Sequence, residues 1–261
     1  MIHINWDPTP YLGPIQISWY GLSFVLAFIV SGMLVRTWAP RWGFSKPQIG
    51  NLLAWILVGT IIGARLDFLL QDDFAEYLAH PWSLVALWEG GLATFGGLAG
   101  GTLTAYLYAR KHGLSFFRLG DLFAPAISIG IAIGRISYGL DGRDYGSLTS
   151  LPWGIVYEHR NSFSPIDGIS RHPVQFYDLL GDMAIAGVLI KIRYRLPEGA
   201  TFFVYLVLFS VLRFFLFFVR GNVPEVLFAL KNAQLTALVV LAVALPALIV
   251  RCFRRPAVSV K

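Results

Sequence analysis

Seven apolar runs, each near the length needed to cross a bilayer, dominate this sequence. A transmembrane helix needs about 20 mostly apolar residues to span the hydrocarbon core. Only 14% of the residues are charged, against about 25% in a typical soluble domain. The chain is therefore predicted to be an all-α, polytopic membrane protein with seven transmembrane helices. The predicted spans are residues 15–37, 50–70, 91–109, 119–139, 176–192, 200–219 and 232–252.

The placement of Lys and Arg predicts how these helices are oriented. Cytoplasmic segments carry an excess of the two residues. With seven spans, one set of alternate segments holds thirteen of them and the other set holds five, and the first seventeen residues hold none. The N-terminus is therefore predicted outside and the C-terminus in the cytoplasm. Residues 1–261 are taken as a single transmembrane domain, with residues 140–176 as an outer loop or small periplasmic subdomain.

Composition and motifs exclude several other classes of protein. The net charge of +6 follows from the basic cytoplasmic segments, so it does not indicate nucleic-acid binding. Cys252 is the single cysteine and the five histidines show no HExxH spacing, so neither a metal nor an organic cofactor is implied. The sequence shows no internal repeat, which disfavours a transporter built from inverted repeats.

Three arginines remain inside the predicted spans after the loops are counted: Arg65, Arg135 and Arg213. An arginine at the centre of a bilayer costs at least about 2.5–3.5 kcal/mol. All three fall late in spans that run outward, which puts them toward the outer leaflet. Guanidinium groups bind phosphate in a bidentate manner, so the pattern predicts a site for an anionic phospholipid. The alternative is that each arginine extends to the headgroups and anchors its own helix.

A Gly-rich stretch opens the third predicted span. Residues 90–101 contain six glycines, with GxxxG spacing at Gly96 and Gly100 and again at Gly97 and Gly101. Small residues at this spacing are typical of closely packed membrane helices. A backbone surface for a lipid headgroup at Gly96 and Gly97 is the alternative. Asp121, at the inner end of the fourth span, is interpreted as structural.

A set of short motifs runs through the chain in one order. They are Gly13-Pro14, Trp19-Tyr20-Gly21-Leu22, Gly63-Ala64-Arg65, Trp88-Glu89-Gly90-Gly91, Gly96-Gly97-Leu98, Asp121 with Ala124-Pro125, Gly134-Arg135, His172-Pro173-Val174-Gln175-Phe176-Tyr177, Arg213 with Arg220, and Gln234-Leu235. In this order and spacing they resemble the prolipoprotein diacylglyceryl transferase family of bacterial inner-membrane enzymes. The resemblance covers almost the whole chain.

The resemblance implies a reaction and the residues that perform it. The family moves the diacylglyceryl group of phosphatidylglycerol to the lipobox cysteine thiol of prelipoprotein signal peptides. By resemblance, Arg135 and Arg213 bind and polarise the phosphate, and Tyr20 orients the headgroup. Arg65, Arg220, Gly96 and Gly97 are the further residues expected to bind phospholipid. Asp178 stands where the family has an acid and is expected to pair with Arg135 or Arg213.

The sequence departs from the family pattern at several polar positions. The family histidine before two glycines is replaced by Phe95, and the asparagine three residues after the Gly-Arg arginine by Tyr138. Arg143 and Phe217 stand where the family has glutamates, and Ser18 stands where histidine is common. Two interpretations follow. Either the transferase works with a different base, or the chain is a catalytically altered or inactive paralogue that binds anionic phospholipid.

His172 is the candidate replacement base, because it is the histidine that lies in a family motif near the outer face. The alternative is that His172-Pro173 only forms the N-terminal start of the fifth span.

Overall fold

The computed structural model of the protein describes residues 1–13, 15–71 and 93–253. Within them lie seven α-helices, one for each apolar run. They are α1 (Trp19–Trp38), α2 (Lys46–Gln71), α3 (Thr94–Lys111), α4 (Phe116–Asp141), α5 (Val174–Ile192), α6 (Ala200–Leu216) and α7 (Asn232–Phe253). Short 3₁₀ helices follow α1 at Ala39–Trp42 and α6 at Phe217–Val219. Pro14, the Trp88–Gly91 motif and residues 91–92 of the third predicted span lie outside the described residues.

Five helical segments of the described chain are long and apolar enough to cross a membrane. They are Trp19–Trp42, Lys46–Gln71, Phe116–Asp141, Ala200–Val219 and Asn232–Phe253. The remaining two helices are the Gly-containing α3 and α5, which carries Asp178 and Asp182. The protein is thus an all-helical, multi-pass membrane protein. The full number of seven spans and their orientation stay predictions.

The chain divides into two compact units. One comprises residues 1–35 with 120–261, and the other comprises residues 36–119. In the second unit, α2 packs against α3 through glycines. A Cβ built on Gly63 would lie 2.9 Å from the Cα of Gly100, which is too close for any side chain. The close-packing interpretation of the Gly-rich stretch is therefore confirmed for the helix that the structure describes.

The larger unit has its core where α4, α5 and α6 meet. Ala124, Ile185, Leu189 and Tyr205 form one buried apolar cluster there.

Asp121 of α4 caps the start of α6. Its carboxylate accepts hydrogen bonds from the backbone N–H of Gly199 at 2.5 Å and of Phe202 at 2.8 Å. These donors have no partner within the helix, so Asp121 has the structural role that the sequence analysis expected.

The segment between α4 and α5 is an ordered structure tied to the N-terminus. Strand β1 (Ile2–Ile4) pairs in parallel with β4 (Ile155–Tyr157). The Tyr157 hydroxyl also donates to the carbonyl of Gly139 on α4 at 2.9 Å. Two small hairpins complete the strands: β2 (Tyr11–Leu12) with β3 (Ile15–Gln16), and β5 (Glu225–Leu227) with β6 (Leu230–Lys231). These connections fix the segment over the end of α4.

Candidate functional site

Three arginines and two aspartates form one continuous series of ion pairs in the larger unit. Nη1 of Arg213 lies 2.6 Å from Oδ2 of Asp178, and Nε of Arg135 lies 3.0 Å from the same oxygen. Nη1 of Arg135 then lies 3.0 Å from Oδ2 of Asp144. The other Asp144 oxygen pairs with Nη2 of Arg220. We call this set of five side chains the arginine–aspartate network.

Three helices and two connecting segments bring these side chains together. Arg135 lies near the end of α4, Asp178 in the second turn of α5 and Arg213 in the last turn of α6. Arg220 follows the 3₁₀ helix directly. Asp144 lies in the loop after α4 with a left-handed backbone of φ 57°, a conformation that Asp tolerates better than most residues. That turn directs its carboxylate back to the end of α4.

The five side chains of the network are mostly buried, and Asp144 is the most exposed of them. The Asp178 side chain is 2% exposed and the Arg135 and Arg213 side chains are each 12% exposed. Asp144 is 22% exposed. Three guanidinium groups face two carboxylates, so these five side chains carry a net charge of about +1. A partly buried cluster with surplus positive charge is suited to an additional anion.

Arg220 is buried, and its neighbours hold both its side chain and its backbone. Burial lowers the pKa of its guanidinium from the usual value, and the Asp144 carboxylate opposes that shift. Its Nε also donates to Oδ1 of Asn222 at 2.9 Å. The ammonium of Lys231 donates to the carbonyl oxygens of Phe217 at 2.8 Å and Arg220 at 2.5 Å. The turn after α6 is thereby held against β6.

Tyr20 lies in an aromatic layer beside the network. The Arg135 guanidinium sits over the Tyr138 ring at 4.9 Å, and that ring meets Tyr20 edge-on at 5.6 Å. Arg143 lies over the Tyr20 ring at 4.8 Å. Its Nε pairs with Oδ2 of Asp141 at 2.9 Å. Tyr138 and Arg143, two positions where the sequence departs from the family pattern, thus both contact Tyr20.

His172 lies at the start of α5, in contact with Tyr177. Its Nδ1 is 3.4 Å from the Tyr177 hydroxyl, which also accepts a 2.8 Å hydrogen bond from Nε1 of Trp153. Pro173 is the N-cap residue of α5, so this motif does start the helix. Within the described chain, the contacts found for the His172 side chain are with Tyr177 and not with the network.

Arg65, Gly96 and Gly97 belong to the second unit. The N–H of Gly96 donates to Oδ2 of Asp67 at 2.7 Å, and a Cβ on Gly97 would meet that of Ala64 at 3.3 Å. The buried Arg65 guanidinium lies 5.5 Å from the centre of the Phe68 ring. Phe95, where the family has a histidine, is 74% exposed and lines an apolar groove of about 490 Å³ on α3.

Comparison with known proteins identifies the family. A protein-family model described as prolipoprotein diacylglyceryl transferase matches residues 9–250. The chain belongs to this family. The matched region contains the entire arginine–aspartate network and all of the residues that the sequence analysis proposed for the site.

Curated members of the prolipoprotein diacylglyceryl transferase family match over most of the chain. The phosphatidylglycerol–prolipoprotein diacylglyceryl transferase of Aromatoleum aromaticum is 31% identical over 245 residues, covering 91% of this chain and 90% of its own. The protein of the same name from Geobacter sulfurreducens is 33% identical and covers 82% of each. That of Legionella pneumophila (strain Lens) is 35% identical and covers 67% of each.

The structure adds two acids to the site that sequence reasoning missed. Asp144 bridges Arg135 and Arg220, and Asp141 holds Arg143. Both lie in the DGRD stretch just after the Gly-Arg motif of this transferase family member. Acids six and nine residues after Arg135, a predicted outer-leaflet arginine, were the available signal. The expected pairing of Asp178 is confirmed, and it engages Arg135 and Arg213 together.

Proposed function

We propose that this chain transfers the diacylglyceryl group of phosphatidylglycerol to the lipobox cysteine thiol of prelipoproteins. It would do so in the bacterial inner membrane, with seven spans, the N-terminus outside and the network at the outer leaflet. Arg135, Arg213 and Arg220 in one partly buried cluster with surplus positive charge are the observation that carries the proposal. Membership of the family and the activity named for its curated relatives support it.

The network's first task is to hold the phosphodiester. Arg135 and Arg213 share Oδ2 of Asp178, which fixes both guanidinium groups before any lipid arrives. Preorganised donors of this kind stabilise charge that develops in a transition state. As the bond to the leaving group breaks, the phosphate gains negative charge, and these two arginines stabilise it. Arg220 completes the cluster, and Tyr20 orients the headgroup from the adjoining aromatic layer.

The reaction balances without any further reactant. The cysteine sulfur forms a bond to the terminal glycerol carbon of the diacylglyceryl group. The bond between that carbon and the phosphate oxygen breaks, and glycerol phosphate leaves with the bonding electron pair. The thiol proton ends on the released phosphate, directly or through a base, because the thiolate is the reactive nucleophile.

The remaining site residues stay predictions. His172 is the proposed base, with Tyr177 as its hydrogen-bond partner. Arg65, Gly96 and Gly97, which belong to the second unit, stay proposed phospholipid-binding residues. A donation from the Gly96 N–H to Asp67 means that any headgroup contact there would compete with an existing hydrogen bond.

A transfer assay with the purified full chain tests the proposal. Phosphatidylglycerol carrying radiolabelled acyl chains is incubated with a lipobox peptide, and label on the peptide is measured. The peptide with Ser in place of the lipobox cysteine controls for chemistry at sulfur. Arg135→Ala should abolish transfer, while Arg160→Ala, an exposed arginine of the segment between α4 and α5, should not. Absence of label with wild-type protein that still binds the lipid would refute the transferase and favour the lipid-binding paralogue.

A further inference from the structure

We propose that Asp144 determines anion specificity by occupying, between Arg135 and Arg220, the position that the lipid phosphodiester takes when it binds. The carboxylate leaves the two arginines as the phosphate arrives. This inference rests on the proposed function, because it assumes that these arginines bind a phosphate.

The geometry around Asp144 is that of a bound oxyanion. One carboxylate oxygen pairs with Nη1 of Arg135 at 3.0 Å and the other pairs with Nη2 of Arg220. A phosphodiester likewise offers two non-bridging oxygens and one negative charge to a pair of guanidinium groups. Exchanging one for the other therefore leaves the charge of the network unchanged. A lipid without a phosphate has nothing to replace the lost ion pairs.

The two aspartates of the network differ in how firmly they are held. Asp178 lies on the regular helix α5 with a side chain that is 2% exposed, and one of its oxygens serves both Arg135 and Arg213. Asp144 is 22% exposed and lies on a turn with φ 57°, two residues after Gly142 with φ 79°. Asp144 is thus the acid that can move away without opening a helix, while Asp178 keeps Arg135 and Arg213 in place.

The turn also holds Asp144 close to where it is needed. The backbone N–H of Gly221 donates to the carbonyl of Tyr145 at 2.9 Å, next to Arg220. Gly146 forms an isolated bridge with Arg220. A change in the Asp144 side-chain rotamer therefore suffices to release the arginines, with the main chain left in place. Because the turn holds the Asp144 carboxylate beside Arg135 and Arg220, this carboxylate is a competitor at high effective concentration. It lowers the apparent affinity for every ligand that needs the same position.

An alternative role for Asp144 predicts the opposite result. If Asp144 only positioned Arg135 and Arg220, as Asp178 positions Arg135 and Arg213, its removal would weaken lipid binding. If Asp144 competes with the phosphodiester, its removal strengthens binding. The sign of the change therefore separates the two roles.

The test compares Asp144→Asn with Asp167→Asn in the full chain. Asp167 pairs with Arg171 in the same segment between α4 and α5, so its variant removes one charge without touching the network. Short-chain phosphatidylglycerol is titrated into each protein in detergent, and short-chain diacylglycerol is the phosphate-free probe. Asp144→Asn should lower the Kd for phosphatidylglycerol at least about fivefold, since the competing state is lost. Asp167→Asn should match wild type, and diacylglycerol binding should not change.

Steady-state kinetics provide a second readout. Asp144→Asn should lower KM for phosphatidylglycerol, a change that the loss of a merely structural contact would not produce. Asp144→Ser should behave in the same way, which guards against a folding defect specific to Asn. An unchanged or raised Kd in both variants, with melting temperatures near that of wild type, would overturn the inference. If both Asp144 variants bind phosphatidylglycerol more tightly but the protein makes no thioether, the inference is upheld and the proposed transfer fails.

Discussion

Nε of Arg135 lies 3.0 Å from Oδ2 of Asp178. The pair joins α4 to α5 in a setting where Asp178 is 2% exposed, and Arg213 of α6 pairs with the same oxygen. A buried carboxylate between two cations offsets part of the charge of both, and removing it leaves Arg135 and Arg213 buried with less compensation. The relationship therefore couples the stability of the bundle to the position of the two arginines proposed to act on the phosphate.

Asp178→Asn is expected to impair both stability and transfer. Losing the shared carboxylate should cost about 3–5 kcal/mol, because a buried charge is left without its partner. Misplacement of the two guanidinium groups should lower kcat/KM for transfer by about 100-fold. Thermal unfolding in detergent and the transfer assay measure the two effects. Asp167→Asn, on an exposed pair, is the control, and wild-type kinetics in Asp178→Asn would contradict the positioning role.

Arg213→Lys should lose activity although the charge is kept. A lysine ammonium is a point charge and cannot reproduce the planar, bidentate geometry of guanidinium. The rate of thioether formation should fall at least about tenfold. The matched control is Arg160→Lys, which should transfer at the wild-type rate. Full activity in Arg213→Lys would show that the site needs only a positive charge at this position.

Asp121→Ala should destabilise the protein without changing its chemistry. The backbone N–H groups of Gly199 and Phe202 would lose the acceptor that caps α6. Leaving such buried donors unpaired costs about 1–3 kcal/mol. The melting temperature should therefore fall, while kcat of the folded fraction stays at the wild-type value. Glu225→Ala, an exposed acid of β5, is the control. A large loss of kcat at temperatures where the variant is folded would contradict a purely structural Asp121.

Two glycines of the same helix should respond in opposite ways to substitution by alanine. In Gly63→Ala the new methyl group would meet the Cα of Gly100 at 2.9 Å, and such overpacking costs about 1–3 kcal/mol. In Gly50→Ala the methyl group would have no heavy atom within 4 Å. That change should be neutral or stabilising, since alanine favours the helix. Equal unfolding midpoints for the two variants would contradict the close α2–α3 contact.

The apolar runs predicted where helices exist because bilayer thickness sets the length of such runs. They predicted helix ends less well. The second run was placed at 50–70, whereas α2 begins at Lys46. Apolarity ends at the membrane surface, but the backbone hydrogen bonds of a helix continue through polar residues such as Lys46 and Gln48. Helix boundaries therefore depend on information that hydropathy does not contain.

The candidate site was predictable in part. Embedded arginines are costly, so Arg135 and Arg213 stood out, and the acid at Asp178 was expected to pair with one of them. Asp144 was missed because its place in the network depends on a left-handed turn that no periodicity encodes. The contact of His172 with Tyr177 likewise depends on how the loop folds onto α5, which a linear motif does not specify.

The most direct test of the account is the lipid preference of the arginine–aspartate network. Wild-type protein and Arg135→Gln are placed in vesicles of phosphatidylglycerol and phosphatidylethanolamine, re-extracted, and analysed for bound lipid by native mass spectrometry, with Arg160→Gln as the control. The account predicts that wild type and Arg160→Gln retain phosphatidylglycerol preferentially, and that Arg135→Gln loses this preference while remaining folded. An unchanged preference in Arg135→Gln would contradict the claim that this network is the phospholipid site.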